Sequence, residues 1–102
     1  MSVYVDPLIA WGRRPGWPFP SACHLYADTA EELHTFAARI GLKRAWCSDR
    51  TQPGARILHY DLNARRRAAA VALGASEVDH QHGRAFYRSA EERRAEVEKA
   101  RK

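Results

Sequence analysis

The chain has 102 residues, of which 45% are apolar and 28% charged, and its net charge is +5. These values describe one globular domain with a core of its own, and they exclude both a chain too polar to fold and a disulfide-built miniature scaffold. The longest all-apolar run, Ala68–Leu73, is far too short to cross a membrane.

The basic balance favours anionic partners: nucleic acid, nucleotide phosphates or other anions. Positive charge gathers at Arg13/Arg14, at Arg65–Arg67 and from Arg84 to Lys102. Cys23 and Cys47 form no CxxC pair, lie in apolar stretches and read as reduced, buried thiols. The opening "MSVYVDP" has no basic segment followed by a long apolar run. No signal peptide is therefore expected, and the cytoplasm is the expected compartment.

Taken in chain order, "VYV" at residues 3–5 predicts a first strand that stops at Asp6-Pro7. "WGRRPGWPFP" at 11–20 holds three prolines, two glycines and three aromatics, which neither a ladder nor a helix tolerates, so a loop is expected. "ACHLYA" at 22–27 alternates and predicts a second strand. Asp28 or Thr29, with Glu31 or Glu32 three residues on, predicts a capped helix. Its buried stripe is Leu33, Phe36, Ala37 and Ile40, and Gly41 is its stop. "RAWCS" at 44–48 predicts a third strand with Trp46 in the core, "DRTQPGA" at 49–55 a loop, and "RILHY" at 56–60 a fourth strand. Asn63 predicts the N-cap of a second helix that runs to Leu73 and stops at Gly74, packing through Ala64, Ala68, Val71 and Ala72. "SEVDH" at 76–80 predicts a short fifth strand. The α/β domain is thus expected over 1–88, followed by a charged C-terminal helix or frayed tail over 89–102. This order predicts a small α/β fold: a mixed, partly parallel sheet of about four to five short strands with two packed helices.

In open α/β sheets ligands gather outside the carboxyl ends of strands. Here those ends carry Asp6, His24 with Asp28, and His59, Tyr60 and Asp61. His59 and Asp61 are two apart, so on a strand they share a face, and Asp61 can orient His59 for acid–base work. His24 and Asp28 repeat that chemistry at another strand-to-helix junction. The alternative reading makes Asp61 a turn residue and His59 a half-buried, satisfied histidine. The second helix start, at Asn63, offers free N–H groups to a phosphate or carboxylate. Arg67 flanks its predicted buried face and is better placed than Arg66 to reach an anion; the alternative is that both are solvated. His24, His59, Asp6, Asp28 and Asp61 are donors compatible with zinc, manganese or magnesium. Asp6, at the end of "VYVD", is the candidate ligand for a divalent metal. In the loop, Trp11, Trp17 and Phe19 beside Arg13 and Arg14 can stack bases and grip phosphates, or pack as a lid.

"VYVD", "CHLYADTAEELHTFAARIGLKRAW", "HYDL" and "RRAAAVALGASEV" together resemble the family of small bacterial and phage proteins called domain of unknown function 4031. The resemblance covers about residues 3–78 and carries no established reaction; the 11–20 loop and the charged tail depart from it. Its phage members imply nucleotides or nucleic acid as partners.

Two function classes lead, ahead of a structural or oligomerisation role for the C-terminal helix, whose apolar positions Ala90, Val97 and Ala100 are sparse. In the first, an enzyme binds a phosphate-bearing small molecule or nucleic acid at the sheet edge. Arg66, Arg67, Tyr60, Asn63, Trp11 and Arg13 contact the ligand, and His24, His59, Asp61 and Asp28 hydrolyse or transfer its phosphate. In the second, a non-catalytic module binds nucleic acid or an acidic protein through the basic tail and the Trp/Arg loop.

Overall fold

A computed structural model describes residues 2–10, 16–48, 58–83 and 85–86. Trp11, Arg13, Arg14, the 49–55 loop, the start of the expected fourth strand and the 89–102 tail lie outside the described residues.

The sheet has five strands: β1 (Val3–Val5), β2 (Ile9–Ala10), β3 (Ser21–Ala27), β4 (Tyr60–Leu62) and β5 (Ser76–Glu77). The longest, β3, pairs antiparallel with β1, β2 and β4, while β5 lies parallel to β1. The sheet is therefore mixed and partly parallel, as the order of elements predicts. β1 pairs with Leu25–Ala27 and β2 with Ser21–Ala22. The break between them falls at Asp6-Pro7, where proline has no N–H to give the ladder. β2 is a strand that the sequence pattern does not reveal, being two exposed residues long.

Alternation gives the sheet two unlike faces. Val3, Val5, Cys23, Leu25, Ala27, Tyr60 and Leu62 face one way and join Leu33, Ala37, Leu42, Ala70 and Ala75 in the core. The cross-strand partners Tyr4 and Tyr26, His24 and Asp61, with Asp6 and His59, face the other way.

The core face is covered by α1 (Ala30–Arg39) and α2 (Ala64–Leu73). Thr29 caps α1 by accepting from Glu32 N, and Gly41 beyond its C-cap takes φ +81°, which only glycine adopts without strain. Leu33 and Ala37 are buried, with Phe36 and Ile40 packed beside them, so the predicted stripe holds. Asn63 caps α2 by accepting from Arg66 N, and Gly74 ends it at φ +115°.

The packing face of α2 differs from the expected one. Ala70 is fully buried and Val71 partly so, whereas Ala64, Ala68 and Ala72 are exposed. Alanines bury too little area to fix a helix's rotation. Arg67 helps to fix it by laying its stem along the sheet and donating to the Asp6 carbonyl and Glu77. A second difference is "RAWCS", which is a 3₁₀ turn over Arg44–Trp46 and not a strand. Only Ser48 pairs, exchanging both backbone hydrogen bonds with His59 at 2.9 Å. Trp46 is consequently 50% exposed instead of lying in the core. Of the cysteines, Cys23 is buried and Cys47 half-buried, and neither is in a disulfide. The expected fifth strand ends at Glu77, and the backbone is helical at 80–83 and 85–86. This segment meets the far face through His82 and Phe86, whose rings contact Tyr4 and Tyr26. Among the described residues, no helix is long and apolar enough to cross a membrane.

Candidate functional site

The far face of the sheet gathers ionisable side chains where β1 leaves β3. Asp6 follows Val5 past the last paired residue, and its side chain takes the place of the interrupted ladder. Its Oδ1 accepts from His24 N at 2.6 Å and its Oδ2 from His24 Nδ1 at 2.8 Å. Asp6 is 5% exposed, so these are charge-assisted bonds shielded from water. Because a carboxylate only accepts, His24 carries a proton on Nδ1 and turns Nε2 away from Asp6. The hydrogen bond to Asp6 holds the His24 imidazolium above the ordinary histidine range, against the opposing effect of burial. Arg67 Nε donates to the Asp6 carbonyl at 2.9 Å and its Nη1 to Glu77 at 3.0 Å, fixing the same residue from the α2 side.

His24 Nε2 faces β4. There Asp61 Oδ1 stands 3.9 Å from His24 Nε2 and 3.8 Å from His59 Nε2. The two imidazoles meet edge to face, with centroids 5.3 Å apart. Neither contact is short enough for a hydrogen bond. Asp61 Oδ1 is buried and has no hydrogen-bond partner among the described residues. His80 Nδ1 lies 3.9 Å from Asp6 Oδ2 on the outer side.

Asp61 also belongs to a cavity of about 470 Å³. Trp17, Phe19 and Trp46 form aromatic parts of its wall, and Asn63 and Arg66 bring the start of α2 to it. Arg66 Nη1 donates to the Ile40 carbonyl, and its guanidinium lies 5.5 Å from the Trp46 ring centroid. Lys43 Nζ stands 5.6 Å from that centroid, so two cations attend one exposed indole. A further cavity, of about 740 Å³, shares Phe19, Asn63 and Arg66 and extends along α2.

The sequence candidates therefore divide. His24, His59, Asp61 and Asp6 come together. The route is antiparallel pairing and not the shared carboxyl edge expected, because His24 sits at the middle of β3, opposite Asp61. Asp28, at the carboxyl end of β3, is left at the other end of the sheet, where its Oδ1 accepts from Tyr4 Oη at 2.9 Å. Tyr60 is on the core face, 1% exposed, and its hydroxyl pairs with His34 Nδ1 at 2.8 Å. Burial raises the Tyr60 phenol above its ordinary range and lowers the His34 imidazolium. Asn63 caps α2 and lines the cavity. Of the two arginines expected as ligand contacts, the favoured Arg67 braces Asp6, and Arg66 faces the cavity. Trp46, expected in the core, is a cavity wall. Face parity held the signal for Asp6, since Asp6 alternates with Val5 and shares a side with Tyr4. Arg66 is marked by its place at the start of α2, whereas nothing local in the sequence marks Trp46 as a cavity residue.

Cys23, beside His24 in the chain, points to the core face. Burial, then the Asp6 charge, pushes its thiol up to about 12, so it is protonated and no nucleophile.

Fold and cluster together define a small mixed α/β protein with a histidine–aspartate centre on one sheet face. The chain belongs to the family described as "Protein of unknown function (DUF4031)", whose family model matches residues 3–90. No curated protein and no solved structure matches it.

Proposed function

We propose that this protein binds a phosphate-bearing ligand with a planar base, a nucleotide or a nucleic-acid end, in the cavity at the start of α2. The His24–His59–Asp61 cluster then hydrolyses or transfers the phosphate. One observation carries the reading: Asp61 lines the cavity and belongs to the cluster, so a ligand in the first touches the second. Trp46 and Trp17 offer stacking surfaces, and Arg66 and Lys43 offer charge to phosphate oxygens. In the reaction an attacking oxygen forms the bond to phosphorus and yields its proton to the cluster. The ester oxygen leaves with the bonding pair.

Titration with nucleoside mono- and triphosphates and short oligonucleotides, followed by tryptophan fluorescence, tests it. Binding is expected, weakened about tenfold or more in Arg66→Ala and Trp46→Ala. Absence of binding, or affinity indifferent to both substitutions, refutes it. The second reading, a non-catalytic module, is favoured by Trp17 and Phe19 of the 11–20 loop, which line the same cavity. It predicts binding with no turnover, unchanged in His59→Ala.

A further inference from the structure

We infer that His24 Nε2, His59 Nε2 and Asp61 Oδ1 form a site for one divalent first-row transition ion. The three donors lie within 4.8 Å of one another, and among the described residues they are the group so arranged. Two donors each about 2.0–2.2 Å from a common ion stand at most about 4.4 Å apart. The 3.9 and 3.8 Å separations from Asp61 Oδ1 fall inside that limit, while exceeding hydrogen-bonding distance. The two separations from Asp61 are thus too long for direct bonds and suited to a shared ion, and the third, between the histidines, is within 4.8 Å.

Three further observations agree. Asp61 Oδ1 is a buried carboxylate oxygen with no hydrogen-bond partner among the described residues, and such an atom calls for a partner. Asp6 binds His24 Nδ1, which turns the Nε2 lone pair of the neutral imidazole towards Asp61. A carboxylate behind a histidine is the outer support that metal-bound histidines use. Asp6 is in turn fixed by the His24 backbone N–H and by Arg67, so the support is itself rigid. Asp6, the ligand candidate from the sequence, therefore acts one layer behind the ion.

Donor chemistry selects the ion. Two imidazole nitrogens and one carboxylate suit zinc, manganese or ferrous iron better than magnesium or calcium, which prefer oxygen. Three protein donors leave coordination positions open, and Asp61 places them beside the cavity. With two neutral imidazoles and one carboxylate, the ion and its three ligands sum to +1, and the open positions on the ion itself favour a phosphate oxygen. His24 and His59 then serve as ligands instead of free bases, and a bound water becomes the group whose proton is lost. The inference rests on the proposed reading for what the open positions receive, and on the cluster alone for the ion.

The test uses the full chain, stripped with a chelator and titrated by calorimetry with zinc, manganese and magnesium chloride, without nucleotide. Cobalt(II) absorption reports the ligand field. Expected are one zinc or manganese ion per chain and much weaker magnesium binding. Affinity falls at least tenfold in Asp61→Asn and His59→Ala, and about 10–100-fold in Asp6→Asn. Asp28→Asn, at the far end of the sheet, leaves it unchanged. Asp61→Asn preserves shape and keeps the test valid if His59→Ala does not fold. Failure of the wild type to bind one ion, or equal binding by wild type and Asp61→Asn, overturns the inference. Nucleotide binding to the stripped protein is measured in parallel. If it persists while ion binding is absent, the inference falls and the cavity reading stands.

Discussion

The two faces of this sheet are built from the same strands, one residue out of step. In the segment 59–62, Tyr60 and Leu62 enter the core while His59 and Asp61 face away from it. In β3, Cys23 and Leu25 enter the core while His24 and Tyr26 face away. Both faces contain well-buried groups, Tyr60 at 1% exposed on one and His59 at 6% on the other, though His24 and Asp61 are partly open to water. What differs is how each face satisfies its atoms. The core face is held by apolar contact with polar pairing at its margin, such as Tyr60 with His34. The far face is held by polar pairs, Asp6 with His24 and Tyr26 with His82, and one of its buried carboxylate oxygens, Asp61 Oδ1, has no hydrogen-bond partner among the described residues. A face built for stability alone would satisfy or delete that oxygen. On this contrast rests the proposal that one face serves stability and the other chemistry.

The largest effect expected from breaking this division is on the core face. Leu62→Ala removes a fully buried side chain and should destabilise the domain by about 2–5 kcal/mol in urea unfolding. Ligand affinity should survive wherever the protein remains folded. A loss of affinity without loss of stability would contradict the division.

The paired arginines give a smaller and sharper test. Arg67→Ala removes donors to the Asp6 carbonyl and to Glu77 and should cost about 1.5–3 kcal/mol of stability. Arg66→Ala should cost less stability but about tenfold in ligand affinity, or about 1.4 kcal/mol. Equal effects of the two on both measurements would remove the distinction.

The smallest effect is a pH dependence of the core face. Burial, then the nearby Arg44 charge, lowers His34 below its ordinary value of 6.5. The folded state therefore resists a proton that the unfolded chain accepts. Stability from this group is present above the ordinary value and is lost as pH falls through it towards the folded value. Melting temperature followed from pH 7.5 to 5.5 should decline less steeply in His34→Gln than in the wild type.

Much of this was legible in the residues. Asn63, Gly41 and Gly74 mark helix ends because caps are local chemistry, and the Leu33/Phe36/Ala37/Ile40 stripe marks a face because its spacing is periodic. His24, His59 and Asp61 were legible as strand residues of unusual type. Their convergence was legible only in part, because register is set by pairing across the chain, and it keeps Asp6 at the site while leaving Asp28 at the other end of the sheet. α2 shows the limit most clearly. Its alanines carry no strong directional signal, so the helix rotates to suit Arg67, and Arg66 turns to the cavity. Trp46 is exposed because Arg44–Trp46 closes a 3₁₀ turn, a choice invisible to an apolar–polar pattern.

The central claim is that cavity and cluster are one site. Its most direct test is a titration with a nucleoside 5′-monophosphate, followed by NMR of the histidine ring nitrogens and the tryptophan indoles. The account predicts that the Trp46 indole and the rings of His24 and His59 shift together along one binding curve, while His34 stays in place. Movement of Trp46 without His24 and His59, or of none of them, would contradict it.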